Sequence, residues 1–295
     1  MTGKGGTGKT TVAAALGLAA ARAGKRTLVA EVAEQERIGE AFGKTEVGYT
    51  ETELAPGLFA FSVDPVKARE EWVRYRLPSR TLAGALNSSR IFGYLAAAAP
   101  GLAELVTIGK VWELAQLERK AKGSAPFDLV VVDSPATGHG LAMLRAPSTI
   151  GDIARVGPIH RQAYRIHDFI SDPRLTGALA VALPEEMPVA ETLELEKRLD
   201  EEMDMGLDSI VVNGLYPERF SRDEAKRLAA LDGGGPPGAR AALLEHERAR
   251  AQRSQLRRLR RGAGAPVLTL PFLFEPELGL EQIEQLSREL ERRLP

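Results

Sequence analysis

The chain contains no cysteine. Disulfide bonds, thiolate zinc sites, cysteine-ligated iron–sulfur clusters and soft thiolate sites for a metalloid are therefore excluded. Its four histidines, His139, His160, His167 and His246, are too scattered in sequence to suggest a metal cage. No apolar run reaches the roughly 18 residues that span a bilayer. The N-terminus lacks the apolar core of a signal peptide, so a cytoplasmic location is expected. A net charge of −1 over 295 residues supplies no global basic field for nucleic acid. What is present is apolar material. Hydrophobic residues make up 44% of the chain, which permits a substantial core, and 295 residues are enough for one large α/β domain or two small ones.

The first eleven residues read MTGKGGTGKTT, and Gly3 to Thr10 fit G-x-x-x-x-G-K-[ST]. In such a loop, glycines let backbone N–H groups converge on phosphate oxygens. A lysine reaches the β- and γ-phosphates, and a hydroxyl binds Mg²⁺. The candidate nucleotide-binding residues are Gly5, Gly6, Thr7, Gly8, Lys9, Thr10 and Thr11. The loop chemistry also requires a helix whose positive end faces the anion. Thr11 to Ala23 is Ala/Leu-rich, Gly24 suits its C-cap, and Thr27 to Val32 reads as a strand. The lysine and threonine disfavour a hydride-transfer dinucleotide fold, whose glycine loop is G-x-G-x-x-G.

A second stretch, PFDLVVVDSPATGHG, places a continuous apolar run at Leu129 to Val132, expected to be a strand buried on both faces. It ends in Asp133, where a carboxylate is poised to hold Mg²⁺ through water. Thr10 and Asp133 are thus the candidate metal residues, and Ser134 to His139 reads as a small-residue loop. His139 fits either a direct role or a local hydrogen bond.

Further strands are expected near Leu58–Val63, at Leu179–Leu183 and Ser209–Val212, and within 265–277, with a short helix around Ile38–Phe42 in an otherwise irregular 33–64 stretch. Residues 66–122 are mostly helical in pattern, with Trp72, Leu77, Leu82, Ile91, Phe92, Tyr94 and Leu95 as apolar material. They read either as a helical insertion on one side of the sheet or as ordinary core helices. Residues 232–238 read as a turn segment. The seven arginines of 248–261 fit a nucleic-acid contact or a solvated helix face, and nearby Glu245 and Glu247 favour the latter. The final helix carries one apolar stripe, Leu280, Ile283, Leu286, Leu290 and Leu294, and mixes Glu with Arg opposite it. Packing on the sheet is therefore expected, not membrane targeting. Strands alternating with helices argue for a mostly parallel, doubly wound sheet with helices on both faces.

The loop G-K-G-G-x-G-K-T resembles the deviant Walker A motif of the ParA/MinD, nitrogenase iron protein and ArsA-type ATPases. DSPATGH resembles the ArsA-type switch II sequence DTAPTGH, with the proline one place earlier. Pro184 to Glu191, with Glu185, Met187 and Glu191, resembles that family's P-E-x-M-x-x-x-E segment. The resemblance runs over nearly the whole chain. It implies one P-loop ATPase domain over 1–295 with a helical insertion at about 66–122, binding ATP and Mg²⁺. Lys4, Lys9 and Asp133 would act in catalysis, with Lys4 reaching the partner's phosphates across a nucleotide-bound dimer. Asn213 would contact adenine, and Pro271 and Phe272 would pack over it. The partners implied are a second copy or a paralogue, and a client or membrane protein.

Three departures shape the expectation. The switch I aspartate that orients the attacking water falls on Ala33; Glu34, Glu36 and Glu31 are the nearby acids. Hydrolysis is accordingly expected to be slow or partner-dependent. Without cysteine, neither metalloid binding nor a zinc-stapled dimer carries over. Relatives place roughly eight apolar residues before T-G-K-G-G as the central strand, and only Met1 stands there, so a first strand missing from the given chain is expected. The alternatives are a non-hydrolysing regulatory or scaffold subunit and a ParA/MinD-like positioning protein.

Overall fold

A computed structural model describes residues 1–32, 37–44, 46–76, 101–118, 125–230 and 237–293. Ala33, Glu34, Glu36, Leu77, Leu82, Ile91, Phe92, Tyr94, Leu95, Leu294 and most of the 232–238 turn lie outside them. The expected helical insertion is described only at its two ends.

Strands β1 (Thr27–Glu31), β2 (Thr52–Ala55), β3 (Leu58–Ser62) and β4 (Leu129–Asp133) form a sheet in the order β2-β3-β1-β4. β1 runs parallel to both neighbours, in register from Thr27↔Leu129 to Glu31↔Asp133. Only β2 is antiparallel, an edge strand in the stretch read as irregular. Strands β5 (Leu179–Ala182), β6 (Ser209–Leu215) and β7 (Val267–Pro271) form a second, wholly parallel sheet in that order.

Alternate residues of both sheets face opposite layers. Val29, Ala60, Val131, Val181 and Val211 pack with helix α1 (Lys9–Arg22), helix α2 (Arg37–Ala41) and the C-terminal helix. Leu28, Ala30, Phe61, Ala180, Ile210 and Val212 face the other way. That layer contains α4 (Leu102–Leu114), α5 (Thr137–Ala154), α6 (Pro158–Ser171), α7 (Glu186–Met203) and the buried stripe of α9 (Pro237–Gly262); α3 (Pro65–Arg76) leads into it and α8 (Arg222–Ala230) precedes α9. The C-terminal helix, α10 (Leu280–Glu291), buries Ile283, Leu286 and Leu290 in the α1 layer, as its stripe predicts. Arg250, Arg257, Arg258, Arg260 and Arg261 of α9 are exposed, the solvated face expected. No helix among the described residues is long and apolar enough to cross a membrane.

Two expectations are corrected. The segment after Asp133 is a loop only as far as Ala136: α5 starts at Thr137 and contains His139, despite Gly138, Gly140 and Pro147. Burial of Leu141, Met143 and Ala146 against the sheet outweighs the poor intrinsic propensity of those residues. β4 is also less buried than its apolar run suggested. Leu129, Val130 and Val132 are partly exposed, whereas all five residues of β1 are buried.

The cause is a seam between the two sheets. Among the described residues β4 forms a ladder only with β1, and β5 only with β6. Met1 to Gly3 run between them and bond to both. The Met1 nitrogen donates to Val132 O (2.9 Å), and Ser134 N donates to Met1 O (3.2 Å). On the other side Thr2 N donates to Leu179 O and Val181 N to Thr2 O, both at 2.8 Å. The upper half of the seam is thus closed by Thr2 pairing parallel to Ala180, while the flank of Leu129 and Val130 stays partly open.

Candidate functional site

The parallel strands end at one edge, where open α/β sheets place their ligands. Glu31 and Asp133 close β1 and β4 there in register. The glycine loop leaves the seam at Gly3 and enters α1 at Lys9. Gly8 adopts φ 85°, and a β-carbon there would collide with the Asn213 amide, so the turn admits only glycine. No side chain caps α1 and its first turn carries no acid. Its unsatisfied N–H groups and dipole therefore face a cavity of about 790 Å³ as an anion site.

The motif residues converge on this cavity. Lys9 Nζ donates to Gly3 O and Lys4 O, both at 3.0 Å, so the ammonium is folded into the loop. Thr7 is buried, and its hydroxyl donates to Lys4 O (2.9 Å). Thr10 Oγ1 donates to Asp133 Oδ2 at 2.5 Å, joining the two candidate metal residues directly. Burial pushes the Asp133 carboxyl above its ordinary value, against the opposing pull of the Thr10 hydrogen bond, Lys9 and the Met1 ammonium. Burial likewise lowers the Lys9 ammonium, with Asp133 pulling the other way. A carboxylate and a hydroxyl are hard donors suited to Mg²⁺. A divalent cation would relieve the charge penalty on Asp133, so the residues present fit that group.

Lys4 does not extend into open space. Its ammonium lies 2.6 Å from Glu191 Oε1 on α7 of the same chain. The resemblance singled out both residues, but no spacing connects them. Asn213, near the end of β6, donates from Nδ2 to Thr7 O (3.0 Å), which brings it to the phosphate loop. Pro271 closes β7, and Phe272 stacks on Tyr216 with ring centroids 4.4 Å apart. Asn213 thus lies at the loop's β6–β7 flank, while Phe272 follows β7 and its N–H donates to Leu215 O of β6 (2.9 Å); neither lines the cavity itself. Of the three acids offered for switch I, Glu31 is buried and its Oε1 accepts from Arg37 N (2.9 Å) and Ile38 N (3.3 Å). That carboxylate anchors α2. Arg37, Glu40 and Glu277 also line the cavity. Sequence reading missed them, because no motif marks residues brought in by a neighbouring helix, as for Arg37 and Glu40, or by the loop before α10, as for Glu277.

A parallel sheet whose glycine loop opens a helix beneath a lysine, with a threonine facing a strand-end aspartate, defines a P-loop nucleoside triphosphatase. Within that class the chain belongs to the anion-transporting ATPase (ArsA) family, whose profile matches residues 1–157 and 153–231. It is 30% identical over 235 residues to the ATPase BagA of Mycobacterium tuberculosis, an alignment covering 78% of this chain and 68% of that one. It is 27% identical over 249 residues to an arsenical pump-driving ATPase of Escherichia coli, covering 77% of this chain and 41% of the relative. A putative arsenical pump-driving ATPase of Halobacterium salinarum is 24% identical over 301 residues, covering 98% and 43%. The chain therefore spans less than half the length of these two relatives. As a member of this family it is an ATPase.

Proposed function

We propose that residues 1–295 form one P-loop domain that binds ATP with Mg²⁺, dimerises around it, and hydrolyses it slowly without a partner. The observation that carries the reading is the convergence of Lys9, Thr10 and Asp133 at the uncapped end of α1. Gly5, Gly6, Gly8 and Thr11 would present the loop and first-turn amides to the phosphates, and Lys9 would leave its carbonyl partners for the β- and γ-oxygens. Thr10 and Asp133 would hold the metal, which supplies Lewis-acid stabilisation of the leaving phosphates. Asn213, Pro271 and Phe272 would receive the adenine. Lys4, once released from Glu191, would serve the partner's nucleotide.

Slow turnover is supported by Ala33 in the sequence and by the engagement of Glu31 with α2. A second reading, a non-hydrolysing subunit completed by a paralogue, rests on the same alanine. Two relatives are named for driving an arsenical pump. With no cysteine in this chain, we do not extend metalloid binding to it. We propose instead a client or membrane protein as the partner of the nucleotide-driven dimer. The test is calorimetry with Mg-ATP, phosphate release, and sedimentation with and without nucleotide. Micromolar binding, an ATP-dependent dimer and turnover well below about 1 s⁻¹ are expected. Brisk unaided turnover would remove the slow-hydrolysis element, and failure to bind ATP would remove the whole reading.

A further inference from the structure

The base-side wall of the site is held from outside by α9. The β6–β7 ladder loses register between Val212 and Leu215. Gly214, within that irregularity, adopts φ 70°, a left-handed conformation that favours glycine. Bulges of this kind bend a strand and re-aim a side chain. Here the re-aimed residue is Asn213, whose amide meets Thr7 O of the phosphate loop.

A bulge leaves ladder groups without their regular partners, and one side chain takes up two of them. Gln252 is 7% exposed although it lies in the arginine-rich stretch of α9. Its Nε2 donates to Gly214 O (3.3 Å) and its Oε1 accepts from Tyr216 N (2.8 Å). The side-chain amide thus supplies one donor and one acceptor where a neighbouring strand would supply them. Two arginines of the same helix secure the same residue. Arg248 donates to the Tyr216 hydroxyl (2.9 Å) and Arg253 to Tyr216 O (3.3 Å). The Tyr216 ring in turn stacks on Phe272.

We propose that Gln252 is a positioning residue for the nucleotide base: by clamping the bulge at Gly214 and Tyr216 it sets Asn213 and Phe272 at the adenine end of the site. This rests on the ATP reading above. Gln252 reaches the base only through the backbone it holds, so its influence falls chiefly on the adenine end, and the Asn213 bond to Thr7 O passes a smaller share to the phosphate loop.

The test compares Mg-ATP with Mg-tripolyphosphate, which offers the phosphates without a base, on the full chain. Gln252→Leu strands the buried Tyr216 N–H and the partly buried Gly214 C=O. It is expected to weaken ATP about tenfold while tripolyphosphate affinity stays within about twofold. In turnover, KM for ATP rises with kcat at saturation retained. Gln252→Glu keeps an acceptor for Tyr216 N and falls between the two. Equal weakening of both probes, or unchanged ATP affinity, overturns the proposal. If the leucine variant does not fold, the glutamate variant decides by the same ratio of affinities. A wild-type chain that binds ATP no better than tripolyphosphate overturns the base contact itself, and does so before any substitution is made.

Discussion

Asp133 sits where burial works against its own charge. Its pKa is raised, so the folded chain holds a proton more tightly than the unfolded one. Between the ordinary carboxylate value of 3.8 and the raised one the native state binds more protons, and stability from this group falls as pH rises through that window. Asp133→Asn removes the penalty. It is expected to melt above wild type at neutral pH without nucleotide, with the gap closing in acid. Mg-ATP turnover should meanwhile drop by about a hundredfold or more. Thermal melts over pH, paired with phosphate release, check both halves. Lys4 makes a contrasting case. Its pair with Glu191 is partly exposed and worth at most about 1 kcal/mol. Glu191→Gln should thus leave the melting temperature nearly unchanged while shifting the ATP-bound chain towards dimer in sedimentation, because the lysine no longer has an internal carboxylate to leave. A melting loss of several degrees with no change in association would count against that role.

At the scale of elements, the seam between β4 and β5 is the feature with energetic weight. The Met1 nitrogen is enclosed there, and burial pushes its ammonium down to about 6 from 8.0, with Asp133 opposing the fall and Lys9 adding to it. A chain that begins with this amine binds fewer protons folded than unfolded between those values. Its stability should rise as pH goes from 6 to 8, by about 3 kcal/mol at most. Extending Met1 backwards by about five alternating Val and Ile residues, a length that matches β4 at roughly 3.3 Å per residue, replaces the amine with an amide. Such a strand also covers Leu129 and Val130. The extended chain should melt higher and lose the slope between pH 6 and 8. Urea midpoints for the two chains across that range decide it, and identical slopes would refute the account.

For the whole molecule, what the sequence made legible was whatever is encoded locally. The phosphate loop, α1, β1 and the stripe of α10 each lie within one short window whose glycine spacing or period is its own evidence. β2 was not legible, because Thr52–Ala55 has no apolar run and its pairing comes from β3. The partial exposure of β4 was hidden too, since an apolar run does not report which of a strand's edges is filled. Long-range partners escaped for the same reason: Lys4 and Glu191 are 187 positions apart, Gly214 and Gln252 38. The phosphate loop is fastened to both half-sheets, to β4 through Thr10 and Asp133 and to the β5–β7 side through Asn213 and Glu191. A nucleotide seated in that loop grips both flanks of the molecule at once and acts as a rivet across it. Mg-ATP should therefore slow hydrogen exchange at the Ser134 and Val181 amides, which face Met1 and Thr2 from opposite sides. In mechanical terms the ligand carries load between two plates whose backbones meet at the seam through a few stitches.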